Sequence, residues 1–367
     1  MERKGRSFFG KVLVFILSIL AVVGLIAMAL SVVNAYIDPQ HFIWTTVFGL
    51  AFWVIFIFNV IIFLLLLLLW SNKAWISVLA LLIAVPGICK SFSFGSKTES
   101  DNSIRVMSYN VHMFDPVDKE MDKERLAYQI MNMVREQSPD ILCCQEFHVF
   151  KAKTTCPKCI ELFAEGAGFP YVYFNRKRNY GGNVIFSKYP IVKVDESSGF
   201  GEENVYGVMV SVDAGEKGKF HVANVHLLSY QISNNEIEVV MNPSERQNDL
   251  DTIGKSVLHK LNYAFQRRSD EIENVLEGMP PVDGPIIMCG DFNETPLSYV
   301  YRRMQKAGFT DTFTKVGRGI KPTYAGKIPL LRIDYVWAKD GVTPLSFKRY
   351  RYKGSDHYPI MLDFSIQ

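Results

Sequence analysis

Between Lys11 and Cys89 the only acidic or basic side chains are Asp38, His41 and Lys73. No water-facing surface can be built from a stretch so uniformly apolar. About 20 apolar residues in a helix cross a bilayer, and this stretch divides into three such runs. The first is Lys11–Val33. The second is Phe42–Trp70, which ends in the leucine run Leu64–Leu69. The third, from Ala74 to about Cys89, is shorter and is interrupted by Pro86 and Gly87. A cleaved signal peptide is the wrong reading, because the first run exceeds a signal core and further apolar runs follow it. Basic residues set the expected orientation. Arg3, Lys4, Arg6 and Lys11 stay inside, the loop Asn34–His41 carries Asp38 without Lys or Arg, and Lys73 returns inside. With three spans, everything after Phe92 lies outside the cytoplasm, as in an integral protein of a bacterial inner membrane. Lys90 opposes this, and a third segment lying in the interface would leave the remainder cytoplasmic. No ionisable group sits inside a span, so the segment reads as an anchor and not as a pump or channel. The expected organisation is an anchor at 1–92, contacting the bilayer through 12–92, a polar linker at 93–103 and a domain at 104–367.

The remaining sequence has the composition of a water-soluble domain. Net charge over the 367 residues is +3, too small a field to argue for nucleic acid by itself. The six cysteines are too sparse for a disulfide framework. Cys143, Cys144 and Cys289 fall inside apolar strands and read as core residues. Cys156 and Cys159 form a C-x-x-C pair with no second pair for a zinc ribbon, which leaves a local disulfide or two thiols. A basic tip at Asn175–Asn179, with Arg176, Lys177 and Arg178, reads as a solvated turn.

Within this domain, short strands repeatedly end on a group able to do chemistry. Ile286–Cys289 is a buried strand by length and branching, and Gly290-Asp291-Phe292-Asn293 follows. Alternation places Asp291 and Asn293 on one side, with Phe292 opposite, although Asp and Asn also serve as plain turn residues. Ile104–Tyr109 is a strand ending at Asn110, with His112 close by. Lys123–Gln137 is a helix with Leu126, Ile130, Met133 and Val134 on one face. Ile141–Gln145 is a strand, and Glu146 follows as an oxygen ligand suited to a hard cation. Tyr171–Phe174, Gly181–Ser187, Val205–Val212 and Phe220–Val225 read as strands, the last ending at His226, where an imidazole suits proton transfer. Ser229–Pro285 shows no strand signal. Its polar part Ile232–Asp251 reads as a flap and Leu258–Leu276 as a helix, and a further helix is expected at Tyr299–Ala307. Leu331–Ala338 is a strand enclosing Asp334, a carboxylate that needs a partner in such surroundings. Asp356 and His357 precede the last strand, Ile360–Phe364.

Taken together, the segments S-Y-N (Ser108–Asn110), Q-E (Gln145-Glu146), N-V-H-L (Asn224–Leu227), G-D-F-N (Gly290–Asn293), R-I-D-Y (Arg332–Tyr335) and S-D-H-Y-P (Ser355–Pro359) resemble, in order, the motifs of the endonuclease/exonuclease/phosphatase superfamily, in its deoxyribonuclease- and sphingomyelinase-like branch. The resemblance covers about Ile104 to Ile366. It implies an α/β fold, a four-layer α/β sandwich of two packed mixed β-sheets flanked by helices, here preceded by the transmembrane segment. It also implies Mg²⁺- or Mn²⁺-dependent hydrolysis of a phosphoester, in nucleic acid or a phospholipid headgroup. Glu146, Asn110 and Asp356 would be the metal residues. Asp291 would aim or deprotonate the attacking water and Asn293 would hold a phosphate oxygen. His357 would contact the phosphate with Asp334 as its orienting carboxylate, and His226 would serve the leaving group. The His226 segment departs from the abasic-site enzymes, which have a Tyr-containing segment there. Two further readings stand beside the phosphodiesterase: a phosphomonoesterase acting on a soluble metabolite, and an inactive, membrane-tethered binding module of the same fold.

Overall fold

The computed structural model describes residues 7–116, 121–149, 154–155, 157–174, 182–195, 206–241 and 250–367. The basic tip at Asn175–Asn179, with Arg176, Lys177 and Arg178, lies outside these residues, as does Cys156. The chain divides into two compact units, one of Met1–Ser91 with Thr295–Arg302, the other of Phe92–Glu294 with Arg303–Gln367.

The first unit contains helices α1 (Phe8–Val33), α2 (Thr46–Leu50), α3 (Phe52–Leu68) and α4 (Ala74–Ser91). Ser7 caps α1 by accepting from the Gly10 N–H at 3.2 Å. Phe8–Tyr36 and Ala74–Ser91 are each long and apolar enough to cross a bilayer. The second expected span differs from a single rod, since Ile43–Leu50 and Phe52–Leu68 meet at 67°. The break falls at Ala51, whose ψ of 7° leaves the helical range. Pro86 does not end α4, which runs on to Ser91. An apolar helix of this kind tolerates a proline where neighbouring groups re-satisfy the freed carbonyl. Small residues let the helices approach: Ala21 and Gly24 of α1 and Ala80, Ala84 and Gly87 of α4 are all buried. Asn59 of α3 is buried too, and donates to the Gly24 carbonyl at 3.1 Å and to that of Ile55 at 2.9 Å. Leu297 belongs to this unit's interior, packed with Met28, Phe52, Ala80 and Ala84. Outward-facing Phe15, Ile19, Val54, Ile57 and Leu68 are exposed, a surface suited to lipid.

The second unit holds strands β1 (Ile104–Asn110), β2 (Ile141–Gln145), β3 (Tyr171–Phe174), β4 (Val184–Ser187), β5 (Ile191–Asp195), β6 (Gly207–Asp213), β7 (Lys219–His226), β8 (Ile286–Asp291), β9 (Thr310–Asp311), β10 (Asp334–Lys339), β11 (Val342–Arg349) and β12 (Ile360–Ile366). Helices α5 (Lys123–Gln137), α6 (Pro157–Gly166), α7 (Asn234–Met241), α8 (Leu250–Glu277), α9 (Tyr299–Lys306), which runs across the boundary from the first unit, and α10 (Thr312–Val316) connect them. One six-stranded sheet has the order β11-β12-β1-β2-β4-β3, the other β9-β10-β8-β7-β6-β5. Each is mixed: β1–β2 and β7–β8 are parallel, and the other pairs are antiparallel.

Alternation along the strands sorts their side chains between two layers. Val106, Ile141, Cys143 and Ile185 of one sheet meet Val208, Val210, Val222, Ile287, Cys289 and Val336 of the other in a shared core. Met107, Leu142, Cys144 and Phe186 face the opposite way, onto Leu126, Ile130, Val134 and Phe163 of α5 and α6. The predicted apolar face of α5 is therefore the one it buries. Asp122 caps its start by accepting from the Arg125 N–H at 2.7 Å, and Ser138 ends it in a left-handed conformation. Burial pushes the thiols of Cys143 and Cys144 well above the usual range, so both behave as small core residues. Cys159 is half-buried.

Several elements depart from their sequence-based expectation. The strand expected at Leu331–Ala338 begins only at Asp334, because the amides of Ile333 and Asp334 donate to the Thr323 hydroxyl instead of to a neighbouring strand. Strands β5 and β11 carry no clean alternation, and both lie at a sheet edge. Pro344 sits in β11 beside a shift of register, where a missing N–H is tolerated. Helix α8 starts at Leu250, eight residues before Leu258, and part of the expected flap is the helix α7.

Candidate active site

Strand direction gathers the polar strand ends. In each sheet the parallel pair sends two carboxyl ends to the same edge, the position at which open α/β sheets bind ligands. Asn110 closes β1 and Glu146 follows β2. His226 closes β7, and it pairs in register with Asp291, which closes β8. The neighbouring antiparallel strand β10 then supplies Asp334 from its first position, opposite Asp291. His226, Asp291 and Asp334 thus form a row across three strands. His357 precedes β12 and is fixed by an isolated bridge to Tyr324.

All the predicted site residues meet in one connected group. The Asn110 side-chain amide donates to Glu146 Oε1 at 3.1 Å and to Asp291 Oδ2 at 3.0 Å, joining carboxylates from the two sheets. His226 Nε2 lies 3.5 Å from Glu146 Oε1 and 3.8 Å from Asp291 Oδ2. His357 Nδ1 lies 2.9 and 3.1 Å from the two Asp334 oxygens. Its Nε2 faces Asp291 Oδ2 at 3.6 Å and Asp356 Oδ1 at 4.0 Å. Asn293 donates its backbone N–H to Asp291 Oδ1 at 2.9 Å. Its side-chain amide donates to Asp291 Oδ2 at 3.1 Å and to the Leu227 carbonyl at 3.0 Å. Both amide hydrogens of Asn293 therefore hold protein groups, and the phosphate contact expected of it competes with its grip on Asp291. His112, the weakest candidate in the sequence, is part of the group: Nδ1 stands 3.5 Å from Asp356 Oδ1.

The backbone is strained where it matters. Glu146, Asn293 and His112 have φ of 53°, 52° and 46°, left-handed values that residues with a side chain rarely adopt. Gly290 has φ 146°, and a Cβ there would lie 1.8 Å from the Val225 carbonyl oxygen. Only glycine lets β8 pass β7 closely enough to bring Asp291 beside His226.

The electrostatics are set by burial and by mutual charge. Burial pushes Asp291 up to about 6, reinforced by Asp334 and opposed by His357 and His226. Burial also acts to raise Glu146, but His226, the Asn110 donor, His112 and His357 outweigh it and hold the carboxyl below its usual value. Burial pulls His357 down, yet Asp334 and Asp291 prevail and its pKa lies well above 6.5. The site thus contains one carboxylate kept ionised, one that takes a proton easily and one imidazole kept charged.

Other motif residues build the frame. Gln145 donates from its side chain to the Asn224 oxygen at 2.6 Å and to Ser108 at 3.2 Å. Asn224 in turn donates to the Cys144 carbonyl at 2.7 Å and the Val184 carbonyl at 3.0 Å. These buried bonds bolt one sheet to the other directly beneath Asn110 and Glu146. Ser355 donates to the Asn110 carbonyl at 2.8 Å. Arg332 donates to Asp311 at 2.7 Å and lies over the rings of Phe313 and Tyr335. Arg268, Glu271 and Glu294, which nothing in the motif spacing marks, also adjoin the site.

Glu146, Asp291, Asp334 and Asp356 bring four carboxylates together, and oxygen ligands of this kind suit a hard divalent cation. Among the described residues, Asp291, Asp334 and His357 form a group with ligand atoms within 4.8 Å of one another. In that trio Asp334 is already bonded to His357, so its oxygens serve the imidazole. Glu146 and Asp356 offer the more accessible oxygens, with side chains 16% and 32% exposed. The donor set at Glu146, Asp356 and the neighbouring Asn110 fits such an ion.

The sequence pattern described as the Endonuclease/Exonuclease/phosphatase family matches residues 107–357. A second, described as a domain of unknown function, matches residues 11–91. The uncharacterized protein YbhP of Escherichia coli (strain K12) is 23% identical over 294 residues, which cover 72% of this chain and 97% of that protein. The solved endonuclease/exonuclease/phosphatase from Beutenbergia cavernae aligns at TM-score 0.48 and 17% identity, covering 72% of each chain. The 3′ phosphatase NExo from Neisseria, bound to a product DNA hairpin, aligns at 0.49 and 16%, covering 71% of this chain and 99% of its own. The human Nocturnin catalytic domain with a bound sulfate anion aligns at 0.45 and 19%, covering 72% and 94%.

Proposed function

This chain belongs to the endonuclease/exonuclease/phosphatase family, and from that premise we propose that it is a membrane-anchored, divalent-cation-dependent phosphodiesterase that hydrolyses its substrate by direct attack of water. The observation that carries this reading is the meeting of Glu146, His226, Asp291 and His357, drawn from two sheets, within 3.5–3.8 Å contacts. A phosphodiester repels hydroxide and gathers charge on its oxygens as it reacts, so the catalyst must aim the water and neutralise the oxygens. A cation held by Glu146, with Asn110 and Asp356, would neutralise the phosphate and polarise it.

The protein's own groups do the remainder. Asp291 aims the water and takes its proton, which a carboxyl held up at about 6 does more readily than an ordinary aspartate. Asn293 keeps Asp291 in place. His357, charged and held by Asp334, donates to a nonbridging oxygen. His226, whose Nε2 has no hydrogen-bond partner among the described residues, delivers a proton to the leaving oxygen. The apolar helices tether this chemistry to a bilayer with the catalytic domain outside the cytoplasm, and a phospholipid headgroup is the substrate class that such a tether serves best. The apolar anchor favours lipid over nucleic acid, since a net charge of +3 supplies no strong basic field.

The test is hydrolysis of bis-p-nitrophenyl phosphate by the full chain in detergent, with and without chelator, followed by sphingomyelin, glycerophospholipid and plasmid DNA. Chelator-sensitive turnover lost in Asp291→Ala supports the reading. Turnover of monoesters alone would favour the phosphomonoesterase, and no turnover at all the inactive binding module.

A further inference from the structure

The loop that follows His226 leaves the sheet after Leu227, yet the N–H and C=O of both Leu227 and Leu228 are bonded. The Leu227 N–H donates to the Asp291 carbonyl at 3.0 Å. The Leu227 carbonyl accepts from Asn293 at 3.0 Å. The Leu228 N–H donates to Glu271 Oε2, and the Leu228 carbonyl accepts from Arg268 Nη1, each at 2.8 Å. The last two partners come from α8, one turn apart. Arg268 Nε also donates to Glu294 Oε1 at 2.8 Å, and Glu294 directly follows Asn293. The Tyr335 hydroxyl donates to the Glu294 carbonyl at 2.7 Å, closing the set.

We propose that Arg268 and Glu271 are positioning residues, a clamp by which α8 sets the places of His226 and Asn293 at the reacting phosphate. This inference rests on the hydrolase reading. Arg268 is fully buried and stacks on the Tyr230 ring at 4.1 Å. A sealed guanidinium is poor economy as a source of stability, because apolar side chains of similar size do as well or better there. It is well suited to geometry: a planar fork with fixed donor directions reaches a carboxylate and a carbonyl together, and a lysine does not. Glu271 completes the grip by holding the N–H of Leu228, the same residue whose carbonyl Arg268 holds. Two peptide positions after His226 and one after Asn293 are thereby referred to a single rigid helix.

The experiment uses the full chain in detergent, with Glu271→Ala, Glu271→Gln and Arg268→Lys. Residues that orient groups at metal-dependent sites typically change activity about 10–100-fold. Glu271→Ala and Arg268→Lys are expected to lower kcat by about that range, with KM changed less. Glu271→Gln keeps an oxygen for the Leu228 N–H and restores most of the turnover. Hydrogen exchange read by mass spectrometry gives the second readout: amides of the 226–229 peptide and of Asn293 quicken in Glu271→Ala, while those of β1 and β2 do not. Unchanged kcat in Glu271→Ala overturns the proposal, as does exchange that quickens equally throughout the domain. If the wild type turns over no phosphoester, the hydrolase reading fails, and local quickening reversed by Glu271→Gln still decides whether the clamp exists.

Discussion

Replacing Asp334 by Asn probes the relation between a buried charge and the phosphate. Asp334 is 2% exposed and bonds His357 Nδ1 through both oxygens, at 2.9 and 3.1 Å. Asn is isosteric and retains an acceptor oxygen, so what is removed is the negative charge. Two costs follow, of very different size. The imidazole is able to discharge, so the stability cost is that of one charge-assisted hydrogen bond, about 1.5–3 kcal/mol, and not that of an uncompensated buried ion. For a domain of this size that lowers Tm by about 3–12 °C, which leaves a folded protein. Catalysis suffers more. Asp334 is the leading reason His357 stays charged against its burial, and without it the pKa falls. A charged donor is then lost from the phosphate at neutral pH, and kcat should fall about 10²–10³. The sign with pH is specific. A raised histidine pKa stabilises the fold fully below 6.5, and this stability is lost as pH climbs through the raised value. In the variant both that loss and the alkaline limb of the rate profile move toward neutrality, and activity partly returns as pH is lowered. Scanning fluorimetry and bis-p-nitrophenyl phosphate hydrolysis from pH 5 to 9 measure both effects. Turnover within threefold of wild type at pH 8, with an unmoved alkaline limb, would refute the role given to Asp334.

Three other perturbations separate the parts of the site. Glu146→Gln should weaken Mg²⁺ or Mn²⁺ binding in calorimetry by at least about tenfold with little change in Tm; wild-type affinity would take the cation away from this residue. Gly290→Ala should destabilise by more than about 4 kcal/mol, or fail to fold, since its Cβ would meet the Val225 carbonyl oxygen at 1.8 Å; chemical denaturation or soluble yield reads this. Asp291 titrates near 6 through burial and Asp334, so protonation removes the base as pH falls below that value. Proton and cation compete for the same anionic pocket, and raising the Mg²⁺ concentration should move the acid limb of kcat/KM to lower pH. A limb that ignores Mg²⁺ would place the base elsewhere.

Much of this site was legible because its residues stand where strands stop. Asn110, Glu146, His226 and Asp291 each follow an apolar run short enough to be one buried strand, and the period of two fixes which residue lies at the mouth. What strand patterns do not carry is register. That Asp291 stands beside both His226 and Asp334 depends on how β8 pairs with β7 and β10, and on Gly290 allowing the approach. Asp334 was expected inside a strand and opens one instead, because the Thr323 hydroxyl captures the amides of Ile333 and of Asp334 itself. Pro344 hid β11, since proline argues against a strand unless the strand is an edge with a bulge. The least visible residues were Arg268 and Glu271. They lie on a long amphipathic helix among many charges, and only the fold distinguishes those that turn inward from those that face water.

The bolt between Gln145 and Asn224 has a consequence for how such a catalyst can change. Glu146 comes from one sheet and Asp291 from the other, and an oily slab that includes Val106, Ile185, Val210 and Val336 separates the two sheets. The opening of these two jaws is therefore gauged by the thickness of that slab. A methyl group added or removed at Val210 alters the spacing of acids it never touches, so reactivity here is adjustable from deep within the hydrophobic interior, by substitutions that leave every charged residue as it is.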